Sequence, residues 1–305
     1  MYDEYATAKR MDLQPLRDEF ATIYLPSRNL ADNTRATYLR IVDACLAYLA
    51  EQGVTEVDAV GLRELNGYFA HLDRLGRSGT TRRLHTHALK AFFRFLEEHR
   101  HVKHSAALRL IPPKSEERTT RVLSEAEYRR LRDAVGHRPR MAAIVELMLQ
   151  TGIRIGELVK LQLRDVQLPS VSAEERGQLG ELWIRQGKGR KDRRLPLNRR
   201  VCGALRTYLA VRPEAETTSL FVSKLHKPLS ARAVEHLFHK YLAIARIEDA
   251  SPHTLRHTMA THMIKSGATL RSVQEMLGHA NIQTTSRYIS LAEEQLHKDV
   301  QDHAL

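Results

Sequence analysis

The chain has 305 residues, of which 42% are hydrophobic and 28% charged, and its 48 Lys and Arg against 36 Asp and Glu give a formal net charge of +12. This composition is typical of a folded protein long enough for two domains, and it excludes disordered, collagen-like and membrane-bundle classes. The basic excess favours a polyanionic partner, most simply nucleic acid.

Cysteine usage and the absence of targeting signals indicate where the protein works. Cys45 and Cys202 lie far apart and share no CxxC spacing, which favours a reducing compartment. The first residues lack the basic and apolar regions of a signal peptide, and the most apolar stretch, residues 141–149, is too short to span a bilayer. We therefore expect a cytoplasmic protein without a membrane partner.

The first 111 residues have the pattern of a helical domain. Apolar residues recur at helical spacing in one segment that starts at a candidate N-cap, Asp32 or Asn33, and in another that follows Ser78. Each helix also has a basic face, which suits either a solvated surface or contact with phosphates. The basic residues of the two faces are Arg35, Arg40, Arg82, Arg83, Lys90 and Arg94. Residues 112–121, two prolines and a polar run, predict a linker.

Residues 122–305 predict a second domain of helices around a few strands. Ser124 and Glu127 form a capping box that starts its first helix, and Gly152 ends the second. The predicted strands span 163–168, 182–185 and 193–197. The later helices are predicted at 140–150, 155–161, 198–211, 230–247, 252–265 and 270–277, with a tail helix at 291–300. The expected fold class is mainly α with a small β-meander.

The second domain also contains residues suited to binding a phosphodiester. Arg154 follows a glycine turn at the start of a helix, where the helix dipole also favours anions. His253 and Arg256, three residues apart, project from one helical face. Arginine matches phosphate oxygens with a planar fork and stays charged, so it can stabilise a pentacoordinate transition state. Lys188, His279 and Tyr288 complete the set.

Two alternative sites fit the sequence less well. Gly187-Lys188-Gly189 lacks the preceding glycine and the following hydroxyl residue of a nucleotide-binding Walker loop. His253 and His257 have the spacing of a zinc pair, but Thr254 occupies the position at which zincins carry a general-base glutamate, and no third ligand is evident. We therefore expect neither a nucleotide nor a metal at this site.

The motifs, taken in order, resemble the tyrosine recombinase family, which includes the phage integrases and the bacterial Xer recombinases. The motifs are Thr151-Gly-Ile-Arg-Ile-Gly-Glu-Leu158, Gly-Lys-Gly around Lys188, His253-Thr-Leu-Arg256, Leu277-Gly-His279 and Tyr288. The similarity spans Leu123 to the C-terminus, and residues 33–38 and 78–96 look more loosely like the family's core-binding domain. The total length and the short tail are most similar to the Xer-like members.

The resemblance implies cleavage of DNA through a covalent intermediate. Tyr288 would attack the scissile phosphate to form a 3′-phosphotyrosyl bond, which needs nearby positive charge because free tyrosine has a pKa of ~10. Arg154 and Arg256 would bind the non-bridging oxygens, and His279 would donate a further hydrogen bond. Since the phosphotyrosyl bond conserves the energy of the ester, the resemblance implies no ATP, metal or other cofactor.

Three further residues receive roles from the resemblance. Lys188 would protonate the departing 5′-oxygen, His253 would help as base or donor, and Glu157 would orient the basic residues. The 33 residues between Arg154 and Lys188 (155–187) are more than the family pattern leads us to expect, with 169–180 as an insertion. Lys191 is therefore an alternative general acid.

The resemblance also implies domains and partners. Residues 1–111 would be a SAM-like core-binding domain and 122–305 the catalytic domain with its tail helix. The partners would be double-stranded DNA with an inverted-repeat core site and three further recombinase subunits, identical or from a partner recombinase, in the nucleoid. The expected DNA contacts are Arg35, Arg82, Lys90, Arg190 and Lys191. A non-cleaving DNA-binding protein and a type IB-like topoisomerase are the alternatives, but all six catalytic-type positions are filled.

Overall fold

The computed structural model of the protein describes residues 12–113, 121–185 and 192–278. The chain divides into two compact units, residues 1–118 and residues 119–305. The predicted linker includes residues 114–120 and the predicted tail helix spans 291–300, so the linker in large part and the tail helix entirely lie outside the described residues. No helix in the described ranges is long and apolar enough to cross a membrane.

The first unit is helical, as predicted. Its helices are α1 (Leu13–Glu19), α2 (Leu25–Ser27), α3 (Asp32–Glu51), α4 (Leu62–Arg74) and α5 (Gly79–Glu98), with a π-helical turn (Phe20–Tyr24) between α1 and α2. Ser78 caps α5, since its hydroxyl accepts a hydrogen bond from the backbone N–H of Thr81. The predicted cap of α3 at Asp32 or Asn33 is wrong. Its N-cap is Ala31, and Asp32 lies in the first turn, where its charge favours the helix dipole.

An aromatic cluster joins the two ends of the first unit. Phe20, from the turn after α1, packs edge-on against Phe92 of α5, with ring centroids 5.2 Å apart. Tyr24 lies 5.2 Å from Phe95, one turn further along α5. Such aromatic pairs bury large apolar areas and add specific geometry. They fix the start of the described chain against the C-terminal half of α5.

The second unit has helices around a small sheet. Its helices are α6 (Glu125–Val135), α7 (Pro139–Thr151), α8 (Ile155–Leu158), α9 (Val171–Glu175), α10 (Arg199–Ala210), α11 (Ala231–Ile244), α12 (Pro252–Lys265) and α13 (Leu270–Leu277). The apolar helix α7 is the centre of the core and packs against α6, α10 and α12. The predicted limits of α12 and α13 agree with the structure, and the capping box of Ser124 and Glu127 is present. The helix predicted over 155–161 is shorter in the structure, where α8 ends at Leu158.

The predicted β-meander is confirmed. Strands β1 (Val166–Gln167), β2 (Gly180–Ile184) and β3 (Arg193–Leu197) form an antiparallel sheet in the order β1-β2-β3. The prediction of a strand over 163–168 is wrong for its first half. Residues 163–165 form a 3₁₀ turn, since the carboxylate of Asp165 accepts the backbone N–H of Gln162 and closes the turn.

The predicted insertion, residues 169–180, has a structure of its own. It contains α9, which is capped by Ser170 and ends before the glycine turn that leads into β2. The carboxylate of Glu174 accepts a hydrogen bond of 2.8 Å from the guanidinium of Arg206 on α10. The insertion is therefore held against the body of the second unit.

Candidate active site

The first part of the site is the turn after α7. Gly152 has a left-handed backbone (φ +61°), and a Cβ there would lie 2.3 Å from Cε of Met259, so the position favours glycine. The carbonyl of Gly152 accepts a hydrogen bond from Nη1 of Arg256 on α12, and the carbonyl of Leu277 accepts one of 2.6 Å from Nη2. Arg256 is only 6% exposed. Its guanidinium thus joins the ends of α7 and α13.

Arg154 lies two residues after this turn, as the N-cap of α8. Glu157, one turn later, binds it twice: one carboxylate oxygen accepts from the backbone N–H of Arg154 at 3.1 Å, the other from its Nη1 at 3.0 Å. Because α8 has only four residues, its dipole is small. The dipole therefore adds little to anion binding, and the charge of the guanidinium is the main attraction. The side chain of Arg154 remains 25% exposed and accessible to a ligand.

Arg193, the first residue of β3, completes the network. Its Nη1 and Nη2 donate to the two carboxylate oxygens of Glu157 at 3.0 and 2.8 Å, and its Nε donates to the carbonyl of Met276 at 3.1 Å. Gly278 (φ +62°) ends α13 directly over this side chain, where a Cβ would lie 2.9 Å from Nη1 of Arg193. One arginine therefore connects β3, α8 and the C-terminus of α13.

The charges of these side chains are strongly coupled. Burial alone would raise the pKa of Glu157, but hydrogen bonds and positive charge from Arg193 and Arg154 outweigh it and lower the pKa below its ordinary value of 4.5. Glu157 is therefore ionised at neutral pH, and it orients two guanidiniums at once. Bidentate arginine–carboxylate pairs of this kind are strong and geometrically specific.

The lowered pKa of Glu157 predicts a loss of stability in acid. Because the folded-state pKa lies below 4.5, the carboxylate stabilises the fold above that pH, and the contribution is lost as pH falls through the folded-state pKa. We expect Glu157→Gln to lower the free energy of unfolding by about 3 kcal/mol at neutral pH, where it breaks a buried ion pair, and by far less in acid. The free energy of unfolding at each pH is measured by urea unfolding, followed by the fluorescence of Trp183.

An exposed glutamate of the same unit is the matched control. Glu125 pairs with Arg129 on the surface of α6, with its side chain 59% exposed, and such pairs contribute little. Glu125→Gln should follow the wild-type dependence on pH throughout. If Glu157→Gln also runs parallel to the wild type at every pH, Glu157 does not hold the ion pairs described above.

His253, near the start of α12, lies within the field of the arginines. Burial of part of its ring, and then the positive charges of Arg256 and Arg154, lower its pKa below the ordinary value of 6.5, against a small opposing effect of Glu235. The imidazole is thus neutral at pH 7, and one of its nitrogens can accept a proton or a hydrogen bond.

The structure brings together four of the residues singled out in the sequence: Arg154, Glu157, His253 and Arg256. Guanidiniums bind anions with planar geometry and a neutral imidazole can accept a proton, so this set of side chains suits the binding of an anion. The other predicted site residues, Lys188, Arg190, Lys191, His279 and Tyr288, lie outside the described residues. His253 and His257 were considered as a zinc pair. Within the described residues, no third metal ligand lies beside them.

Sequence reasoning missed Arg193, although the sequence contained a signal for it. Side chains alternate along a strand, so Arg193 shares the inward face of β3 with the buried residues Leu195 and Leu197. An arginine at an inward position requires a buried partner, because a lone buried charge is costly. That requirement, applied to the predicted strand 193–197, points to a partner acid elsewhere in the domain.

Two of the three predicted DNA contacts of the first unit have intramolecular partners. Nε of Arg35 donates to the carbonyl of Leu30 at 2.9 Å, and Nη1 of Arg82 lies 2.7 Å from a carboxylate oxygen of Asp73. Lys90 is half-buried on α5. These contacts orient two of the three side chains and leave their role toward DNA a prediction.

Comparison with known proteins gives matches over both units. Residues 121–295 match the model of the phage integrase family, and residues 18–100 match that of the phage integrase N-terminal SAM-like domain. The chain is 32% identical over 270 residues to tyrosine recombinase XerC of Escherichia coli (strain K12 / DH10B), which covers 87% of each protein.

Solved structures match the same length of chain. The XerA recombinase is 27% identical, with a TM-score of 0.52 over 95% of this chain and 99% of that one. The XerH site-specific recombinase, in a post-cleavage complex with its palindromic difH substrate, is 18% identical, with a TM-score of 0.72 over 94% and 85%. A lambda integrase tetramer bound to a Holliday junction is 20% identical, with a TM-score of 0.71 over 89% and 78%. The last two likenesses concern the fold.

Proposed function

This chain belongs to the phage integrase family and is a site-specific tyrosine recombinase, and we propose that it cuts and rejoins DNA with Tyr288 as nucleophile and Arg154 and Arg256 as the phosphate clamp. The family match and the identity to XerC confirm the resemblance seen in the sequence. The observation that carries the residue assignment is the arginine cluster around Glu157. Glu157 orients Arg154, and Arg256, far away in sequence, donates to the carbonyl of Gly152 in the turn that precedes Arg154.

The cluster supports transition-state stabilisation. In the proposed step, the bond from Tyr288 Oη to phosphorus forms while the bond from phosphorus to the 5′-oxygen breaks. The pentacoordinate phosphorus gains negative charge on its non-bridging oxygens, which Arg154 and Arg256 neutralise. Since Arg256 is already bound to two carbonyls, it needs little reorganisation when that charge develops.

The proton transfers belong to other residues. Neutral His253 accepts the phenol proton of Tyr288, and Lys188 gives a proton to the departing 5′-oxygen. His279 donates a hydrogen bond to a non-bridging oxygen. In the rejoining step, a 5′-hydroxyl attacks the phosphotyrosyl bond, so the same groups act in reverse and no ATP is consumed.

The proposed substrate is duplex DNA with an inverted-repeat core, cut by four subunits. The complexes of XerH with palindromic DNA and of lambda integrase as a tetramer on a Holliday junction support this arrangement for a related fold. We assign residues 1–111 to core binding, residues 112–121 to a linker and residues 122–305 to catalysis. The two cysteines are free and buried, which suits work on DNA in a reducing cytoplasm.

Covalent capture tests the proposal. The protein is mixed with fragmented DNA of its source, without added metal or nucleotide, and denatured, and the DNA attached to protein is then sequenced. We expect adducts clustered at one site with inverted repeats. Scattered adducts would indicate a topoisomerase, and a complete lack of adducts, even when partner recombinases of the same source are added, would indicate a protein that binds DNA without cutting it.

The general acid has a test of its own. Lys188→Ala should slow cleavage of ordinary DNA by about 10²- to 10⁴-fold, the usual contribution of a general acid. A substrate with sulfur at the 5′-bridging position should be cut by the variant nearly as fast as by wild type, because the thiolate leaves without a proton. The measurement is the rate of adduct formation on both substrates.

Lys191→Ala is the matched variant for this experiment. If Lys188 is the general acid, the rate of Lys191→Ala relative to wild type should be similar on the two substrates. Sulfur rescue of Lys191→Ala in place of Lys188→Ala would assign the proton transfer to Lys191.

A further inference from the structure

A carboxylate and two imidazoles meet in the first unit, in a part of the molecule that the recombination chemistry does not use. Glu19 is the last residue of α1, and His99 and His101 lie at and just beyond the C-cap of α5. Nδ1 of His99 and Nε2 of His101 each lie 3.4 Å from an oxygen of Glu19. One potential ligand atom from each of the three residues lies within 4.8 Å of the other two.

The fold positions these side chains firmly. Arg100 has a left-handed backbone (φ +61°), so the chain turns back after α5 and the N–H of His101 donates to the carbonyl of Leu96 at 2.8 Å. The two imidazole rings are nearly parallel, with their centroids 6.2 Å apart, and both contact the ring of Phe95. The aromatic cluster of the first unit therefore holds both histidines beside Glu19.

One atom of the group makes no hydrogen bond within the described residues. Nε2 of His101 is buried, and no hydrogen bond to it forms within the described residues, although a carboxylate oxygen lies 3.4 Å away. Buried polar nitrogens in native proteins nearly always have a partner, and each exception calls for an explanation such as an ion. A metal ion between His101 and Glu19 would supply the missing interaction.

The donor set and the spacing fit zinc. Two imidazoles and a carboxylate are ligands that Zn²⁺ accepts, and ligands about 2.05 Å from a tetrahedral zinc ion lie about 3.3 Å from one another. Nδ1 of His99 lies 3.4 Å from one carboxylate oxygen of Glu19 and Nε2 of His101 lies 3.4 Å from the other, which is close to that spacing, and the ligand atoms all lie within 4.8 Å of one another. We propose that Glu19, His99 and His101 bind one Zn²⁺ ion, with a fourth position left to water, and that the ion ties the end of α1 to the end of α5.

The alternative is a pair of ion pairs, in which protonated histidines bind Glu19 without a metal. Zinc binding by the full-length protein separates the two. Protein stripped of metal with a chelator is dialysed against Zn²⁺, and the bound zinc is measured for wild type and His101→Ala. Since loss of a group that merely supports a ligand costs about 10- to 100-fold in metal affinity, loss of a ligand should cost about 100-fold or more. We expect wild type to bind one tight zinc ion that the variant lacks.

Nearby histidines provide the controls, because the chain has 16 histidines and others can bind zinc weakly. His104 is 90% exposed beyond the site, and His87 is exposed on α5. His104→Ala and His87→Ala should retain the tight ion. Equal zinc content and affinity in wild type and His101→Ala would overturn the proposal.

A second variant guards against misfolding of the first. Glu19→Gln keeps the size of the side chain and removes its charge, and it should weaken zinc binding while circular dichroism stays that of wild type. Zn²⁺ should raise the melting temperature of the wild type and leave that of Glu19→Gln unchanged. A folded Glu19→Gln variant that keeps the full zinc-dependent stabilisation would contradict the assignment of Glu19.

Discussion

Tyr288→Phe is expected to form no covalent protein–DNA adduct, while it binds the target site about as tightly as the wild type. The substitution removes only the hydroxyl oxygen that attacks phosphorus, and loss of an enzyme's nucleophile lowers turnover by about 10⁶-fold in a well-studied case. The positive charges that bind the DNA backbone are unchanged, so affinity should hold. Adducts are measured on denaturing gels and affinity by gel shift on the same DNA.

A second tyrosine provides the control for this substitution. Tyr128 lies on α6 of the same unit, half-buried against His262. Tyr128→Phe should form adducts at nearly the wild-type rate. Adduct formation by Tyr288→Phe at the same DNA position would show that another residue is the nucleophile, and the assignment of Tyr288 would fail.

The second large effect should come from Arg193, which binds Glu157 and the carbonyl of Met276 and takes no direct part in the proposed reaction. Arg193→Ala leaves Arg154 as the remaining ion-pair partner of Glu157 among the described residues and removes the donor to the carbonyl of Met276. Because a misplacement of about 1 Å can cost about 10²-fold in rate, we expect adduct formation to slow by about that factor. Affinity for DNA should change little, since Arg193 is only 11% exposed.

The neighbouring arginine makes a close control. Arg194 projects from the other face of β3 and lies over the ring of Trp183, 4.0 Å from its centroid, so Arg194→Ala should cost about 0.5–1 kcal/mol of stability and leave the rate unchanged. Rates are compared well below the melting temperature of each variant. Arg193→Lys keeps the charge without the fork, so it should recover only part of the rate.

A double variant tests whether Arg193 affects the reaction through Glu157. If Arg193 acts through Glu157, then Glu157→Gln combined with Arg193→Ala should be little slower than the slower single variant. Multiplied effects of the two substitutions would indicate that Arg193 acts on the reaction independently of Glu157.

Local signals in the sequence were sufficient to predict most helices and strands of the second unit. The capping box at Ser124 and the glycine after α7 depend on residues a few positions apart, and both are present in the structure. The predicted limits of α12 also hold. The strand predicted over 163–168 failed at its start because a side chain, Asp165, bonds to the backbone there, and periodicity does not detect such a competitor.

The site was predictable only where motifs marked it. The order of the motifs identified Arg154, Glu157, His253 and Arg256, and the structure brings them together. Arg193 pairs with a residue 36 positions away, and His99 with one 80 positions away (99 − 19). Such pairs depend on how elements pack, which neither helical nor strand periodicity specifies.

Glu157 serves as the common counter-ion of two arginines that come from separate parts of the chain, a helix start and a strand start. Loss of the carboxylate would leave two partly buried cations facing each other, whereas loss of Arg193 would leave an acid with half of its partners. Neither change is neutral alone, so the energetic effects of substitutions at positions 154, 157 and 193 depend on one another, and a turn and a strand edge are coupled through one carboxylate.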